Sequence, residues 1–303
     1  TPAPNDLNEI GNHSQFLDIM DASDMRMRWF VRDEGMNNYR LKRHAYAEFY
    51  GWIGSWASVL RKPSDIGDFS DDGYVLPNLN LIERQIVTEK KDNGKLFNDD
   101  AVNATNFNSE LRLTKVERMT EVAEIVNNST ENFIIWIKQN EEGDLIRSLI
   151  PDAVEVKGSD SQELKEKRLL GFAKNEFRVL VTKTKIAQFG LNYQNCSNQI
   201  FASLDFSFEG LYQAIRRSYR FGQANQVNIY ILTTDTMQNV INSIKRKEVD
   251  FNTMMDNTVH YANSKEFKLK MDYTRNEAKT DDYTLINGDC VDLIKELDDN
   301  SID

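Results

Sequence analysis

From about residue 110 the chain alternates short apolar runs with longer amphipathic ones. FIIWI (133–137), AVEV (153–156), FRVLVT (177–182), QIFASL (199–204) and VNIYIL (227–232) are rich in β-branched and aromatic residues and predict buried strands. Helical patterns separate them. LRLTKVERMTEVAEIV carries Val116, Met119, Ala123 and Val126 on one face. Residues 141–150 predict a short helix, and SDSQELKEKRLLGFAK (159–174) a longer one that Ser159 or Ser161 can cap. EGLYQAIRRSYRFG (209–222) reads as a helix ending at Gly222, and 236–247 as another. Strands and helices at this spacing predict an α/β fold, a parallel sheet covered on both faces. Ligands of such sheets gather at the carboxyl ends of the strands, which points to the loops after 182 and 204.

The chain on either side of this alternation is different. Residues 1–20 begin as a Pro-broken loop and enter a short helical pattern. Residues 21–62 are aromatic, and 44–60 predicts a helix with Phe49, Ile53 and Trp56 at helical spacing, stopped by Pro63. SDIGDFSDDGY is turn-rich. It lacks the residue order of a calcium loop and reads as solvated. The organisation expected is a helical insertion and linker over 21–109, a lobe over 110–250, a polar linker over 251–282 and a new strand–turn–helix element from 283 to 303.

Composition narrows the class. The chain has 303 residues, 40% hydrophobic and 28% charged, enough for a sizeable core. No apolar run approaches the ~20 residues that span a bilayer, and no signal peptide is visible at the start; the two cysteines fit a reducing cytoplasm. Thr-Pro-Ala-Pro without an initiator Met is the expectation for a chain that begins mid-protein. Cys196 and Cys290 lie far apart, and the three histidines have no metal-ligand spacing, so neither a disulfide nor a metal site is expected. The net charge of −11 argues against nucleic acid. Local charge argues the other way. Residues 165–185 hold seven cations and two acids, a net +5, and 211–228 hold Arg216, Arg217 and Arg220 with no acid.

Two segments carry candidate chemistry. In QAIRRSYRFGQ (213–223), Gln213, Arg217 and Arg220 fall at i, i+4 and i+7. On a helix they would share one face, and two guanidinium forks beside an amide can cradle a polyphosphate. An exposed basic helix face is the alternative. In VLVTKTKIAQFGLNYQ (179–194) a strand delivers Lys183 and Lys185, then Gly190, Leu191 and Asn192, and the glycine permits close backbone approach to a ligand.

These residues resemble the motifs of superfamily-two helicases in their Swi/Snf form. Gln213, Arg217, Arg220, Gly222 and Gln223 match the sixth motif position by position. The resemblance implies that Arg217 and Arg220 reach the terminal phosphate of ATP as arginine fingers. Arg216 departs from the family's usual acid, and pairing with an acid or contact with DNA are both open to it. Residues 179–194 are similar to the fifth motif, although Ala187 and Gln188 stand where the family has a Gly-Gly pair. Gly190, Asn192, Asp205, Gln213 and Gln223 would border the nucleotide. Lys183, Lys185 and Gly158 would face the backbone of double-stranded DNA. FIIWIKQ resembles the fourth motif, and TPAPND the third, which closes the first lobe of such motors. The implied architecture is a RecA-like second lobe preceded by a helical insertion.

No GxxxxGK[ST] loop or acidic metal box is present in the chain, so ATP and Mg2+ are expected to be held mainly by a first lobe, leaving this chain half of a composite site. NGDCVDLIKELDDNSID is similar to the opening of DNA amino-methyltransferases, with Asp289 and Cys290 near a methyl donor, S-adenosylmethionine. Together these imply a motor lobe fused to a methyltransferase of restriction-modification or phage type. A non-hydrolysing lobe that positions the methyltransferase on DNA is the alternative.

Overall fold

The computed structural model describes residues 3, 6–32, 39–57, 60–65, 67–87, 107–186, 191–204, 207–262, 276–279 and 284–287. In chain order these form α1 (Ile10–Phe16), α2 (Ala22–Trp29), β1 (Phe30–Arg32), β2 (Tyr39–Leu41), α3 (Tyr46–Trp56), β3 (Leu79–Ile86), α4 (Phe107–Leu113) and α5 (Lys115–Asn127). There follow β4 (Phe133–Trp136), α6 (Asn140–Leu149), β5 (Ala153–Glu155), α7 (Gln162–Ala173), β6 (Val179–Thr182), β7 (Asn198–Phe201) and α8 (Phe208–Ile215). The last are β8 (Val227–Thr234), α9 (Gln238–Ala262), β9 (Asn276–Lys279) and β10 (Thr284–Asn287).

Six strands form one parallel sheet in the order β3-β8-β7-β4-β6-β5. Side chains alternate between its faces. On one face Phe133, Ile135, Val179, Val181 and Ile200 pack under α5 and α6. On the other, Ile134, Trp136, Leu180, Phe201 and Ile229 pack under α7, α8 and α9. The fold is therefore the expected α/β arrangement with helices on both faces. Ser161 caps α7 by accepting from Leu164 N, 3.3 Å away. Glu142 and Gln139 close a capping box at the start of α6.

Several element readings need correction. The stretch before residue 110 is not only helical. β1 and β2 form a small antiparallel pair, and β3 joins the main sheet along the whole of β8. As an edge strand with Asn80, Glu83, Arg84 and Gln85 among its eight residues, β3 needs little apolar character of its own. The helix over 111–126 breaks at Thr114, whose hydroxyl donates back to Glu110 O at 2.9 Å. Its buried face is Met119, Val122 and Val126, while Val116 points to solvent. Residues 251–262 continue α9, because Phe251, Met254 and Thr258 bury a stripe at helical spacing. β9 follows in the stretch read as irregular and pairs antiparallel with β10. Residues 288–303, which hold most of the methyltransferase-like segment, lie outside the described residues.

Candidate functional site

The sheet reverses its building direction at β4. The chain first adds β5 and β6 on one side and then crosses to add β7 and β8 on the other. Such a reversal opens a crevice at the carboxyl ends of the flanking strands. Here it is a cleft of about 320 Å³ lined by residues that follow β4 (Lys138), β6 (Lys183, Thr184, Lys185) and β7 (Ser203), and by the start of α8. Lys183 Nζ donates to Asn140 Oδ1 at 2.7 Å, and the Lys138 ammonium sits 4.5 Å over the Phe107 ring. Ser207 caps α8 by accepting from Gly210 N at 3.1 Å. Three ammonium groups and a helix amino end make this mouth positive. Gly158 follows β5 on the same edge of the sheet; it is exposed, and its carbonyl accepts from Lys165 Nζ at 2.7 Å.

The arginines lie at the other end of the sheet. α8 starts at the carboxyl edge and runs back toward the amino ends of the strands, stopping at Ile215. Arg216 N still reaches Tyr212 O (3.1 Å), and Tyr219 N reaches Ile215 O (3.0 Å) at the same spacing, but between them Arg217 N turns to Ala214 O (3.0 Å) and Ser218 N to Ile215 O (3.2 Å). Tightening of this kind ends a helix. Ile215 O also accepts from the buried Gln199 amide at 3.2 Å, and Arg217 O accepts from Tyr193 N at 2.8 Å. The expectation of one helix face bearing Gln213, Arg217 and Arg220 is thus corrected. Gln213 is on the last turn of α8, and both arginines are in the turn beyond it, because the carbonyls there bond to β7 and the loop before it.

That turn is held from behind. The Gln223 side chain is buried, and its Nε2 donates toward Gln194 O (3.2 Å), Cys196 O (3.3 Å) and Ser218 O (3.4 Å) while its Oε1 accepts from Asn225 N (3.0 Å). Gly222 takes a φ of +87°, the left-handed backbone that lets the chain reverse. Arg217 is half-buried, with Nη1 3.4 Å from Leu191 O. Burial, and then the neighbouring charge of Arg220, hold its guanidinium below its ordinary pKa. Two cations held this close favour an arriving anion, which relieves their repulsion. Asn192 is exposed on the adjoining loop. Arg216 turns elsewhere: its guanidinium lies 5.1 Å over the Tyr212 ring and 5.4 Å over Tyr219.

The structure therefore separates the candidates into two groups. Lys183, Lys185 and Gly158 share the carboxyl edge. Gln213, Arg217, Arg220, Gln223 and Asn192 gather toward the amino ends, joined to the first group through the chain that leaves β6. Gly190 and Asp205 lie outside the described residues. Of TPAPND, only Ala3 and Asp6 are described, and Asp6 accepts from Asn8 N at 2.9 Å as a local cap. The sequence reading missed Tyr193, Arg118 and Glu142. Arg118 falls one turn before Val122 on the apolar stripe of α5, and a charge on a buried stripe is a readable signal. Among the described residues there is no cluster of three His, Cys, Asp or Glu side chains able to hold a metal, and no helix long and apolar enough to cross a membrane.

A parallel α/β lobe with a cationic crevice and a paired-arginine turn is the class that fold and site define. Residues 114–222 match the family model described as the helicase conserved C-terminal domain. That segment carries α5 to α8 and β4 to β7 and closes at Gly222. The chain is also similar to the C-terminal part of the Fun30 ATPase domain, at 17% identity and a TM-score of 0.39 over 55% of this chain and 58% of that one. It is similar to the C-terminal domain of the DEAD-box protein Dbp5, at 13% identity and a TM-score of 0.40 over 45% of this chain and 80% of that one. No curated protein matches the chain.

Proposed function

We propose that this chain works as the second motor lobe of an ATP-dependent DNA helicase or translocase of the Swi/Snf type. The observation that supports this best is the family match over 114–222, which ends on the turn that presents Arg217 and Arg220. In this reading the two guanidinium groups meet the terminal phosphate of ATP. A first lobe holds most of the nucleotide and its Mg2+, which supplies Lewis-acid stabilisation when bound. The arginines neutralise the charge that develops on the transferred phosphoryl group. Gln213 and Asn192 border that position, and Gln223 holds the turn; the resemblance gives Gly190 and Asp205 the same part. Lys183, Lys185 and the exposed backbone at Gly158 contact phosphates of double-stranded DNA, a contact that carries no sequence information. Residues 283–303 begin a DNA amino-methyltransferase that uses S-adenosylmethionine, in a cytoplasmic protein of restriction-modification or phage type.

Steady-state ATP hydrolysis with saturating duplex DNA, in the protein that joins this lobe to its first lobe, tests the reading. Arg217→Ala and Arg220→Ala should each lower turnover by on the order of 10³-fold, with nucleotide affinity falling much less. Arg216→Ala is the control, since its guanidinium is stacked between two tyrosine rings. Equal, mild losses for all three would leave a basic turn with no part in phosphoryl transfer, and would favour the scaffolding lobe instead.

A further inference from the structure

Helix α4 straps the carboxyl edge of the sheet and touches the crevice at several points. Its first residue, Phe107, sits under the Lys138 ammonium, and Asn108 O accepts from Gln139 Nε2 at 2.9 Å. Glu110 Oε1 accepts from Thr236 Oγ1, just past β8, at 2.5 Å. Where α4 gives way to α5, Arg118 and Glu142 form an ion pair with both side chains 0% exposed.

Every polar position of that pair is used. Arg118 Nε donates to Thr114 Oγ1 (3.1 Å), and Nη2 to Leu111 O (2.6 Å) and Glu142 Oε1 (2.7 Å). Its Nη1 donates to Ser203 Oγ (2.7 Å) and to Ala202 O. Those are the five donors a guanidinium has. Glu142 Oε1 also accepts from Ser203 Oγ (2.6 Å), and Oε2 accepts from the backbone N–H groups of Lys138 (2.9 Å) and Gln139 (3.0 Å). One guanidinium thus joins the last turn of α4 to the end of β7, and one carboxylate joins both to the chain leaving β4. Lys138 and Ser203 are crevice-lining residues.

Two well-packed apolar side chains would fill this space without the desolvation cost of two buried charges. What they could not do is fix the backbone at Lys138 and the Ser203 hydroxyl relative to α4. We infer that Arg118 and Glu142 are positioning residues that set the phosphate-facing groups of the crevice and transmit the placement of α4 to them. This rests on the reading of the crevice as a DNA-backbone contact.

The test compares the wild-type chain with Arg118→Met/Glu142→Leu, an apolar pair of similar volume. The double variant should melt below wild type, because it leaves the N–H groups of Lys138 and Gln139 and the Leu111 and Ala202 carbonyls without these partners, and is assayed well below its melting temperature. There it should bind a random duplex oligonucleotide roughly tenfold more weakly, as misplaced binding groups do. Amide hydrogen exchange over residues 183–186, which neither substituted side chain bonds in the wild type, should quicken. Unchanged DNA affinity with unchanged exchange would make the pair a core filler and overturn the inference, whatever the melting temperature. Should the double variant not fold, Arg118→Lys decides by the same two readouts, since it keeps the charge but cannot serve five acceptors. A wild-type chain that shows no salt-sensitive DNA binding would remove the motor reading, while the exchange experiment would still decide the positioning role.

Discussion

Tyr193 and Cys196 stand behind the arginine turn, and burial governs both. The Tyr193 ring packs edge-on to Phe172 at 5.1 Å, and among the described residues its hydroxyl has no hydrogen-bond partner. Burial raises its pKa, and the nearby Arg217 charge only partly offsets this. An unpaired buried hydroxyl is a cost, so Tyr193→Phe should leave the melting temperature unchanged or raise it, by up to about 1–2 kcal/mol of stability. A clear loss in thermal unfolding would show that the hydroxyl is bonded after all. Burial pushes the Cys196 thiol up to about 12. A folded value above the unfolded one means that folding favours the thiol. That contribution is complete below the unfolded value of about 8.5 and is lost as pH climbs toward the folded one. Cys196 should therefore resist iodoacetamide at pH 8 in the folded chain and react once denatured, as followed by peptide mapping. Rapid labelling in the native state would contradict its environment.

At the scale of elements, α8 and the turn after it show how little separates a helix face from a presented pair of charges. The residues from Gln213 to Gly222 have no proline to stop a helix. The helix ends because Gln199, Tyr193 and Gln223 bond to the backbone of that turn and its neighbours. Gly222 completes the reversal, and a methyl group there would run into the Gln194 amide, which donates to Phe221 O. Gly222→Ala should cost about 1–2 kcal/mol for the left-handed backbone alone. If the turn serves ATP hydrolysis as proposed, the substitution should lower turnover of the protein that joins this lobe to its first lobe further than that stability loss explains, because the arginines ride on the same turn. Chemical denaturation alongside ATP hydrolysis at a temperature well below unfolding separates the two effects. A variant of native stability and full turnover would count against a fixed turn.

At the scale of the whole molecule, the lobe extends beyond residues 114–222, the segment that matches the helicase conserved C-terminal domain. β3 supplies the sixth strand from residues 79–86, and α9 runs to residue 262, with α3 packed along it. Phe251 is 5% exposed, with ring centroids 5.7 Å from Phe208 and 5.0 Å from Tyr212 on α8. Phe251→Ala should therefore destabilise the chain by about 3–5 kcal/mol, the usual cost of emptying a buried aromatic site. A neutral result in thermal unfolding would return residues 251–262 to the status of a linker. The same packing ties α9 to the helix that leads into the arginine turn.

The local pattern was sufficient for β4 to β8, for α6 and α7, and for a parallel sheet covered on both faces, because buried strands must be apolar and their crossover helices amphipathic. It also marked Arg217, Arg220, Lys183 and Lys185 as candidates, since charge type and spacing are written in the chain. It could not reveal that the arginines leave the helix, because backbone partners supplied by Gln199 and Tyr193 decide that. It could not recover β3, an edge strand whose polar side chains are tolerated only because β8 lies alongside. Nor could it reveal the Arg118–Glu142 pair, whose polar partners come from three separate stretches, 111–118, 138–142 and 202–203. A buried charge is tolerable only where other parts of the chain converge on it, and that convergence belongs to the tertiary structure alone.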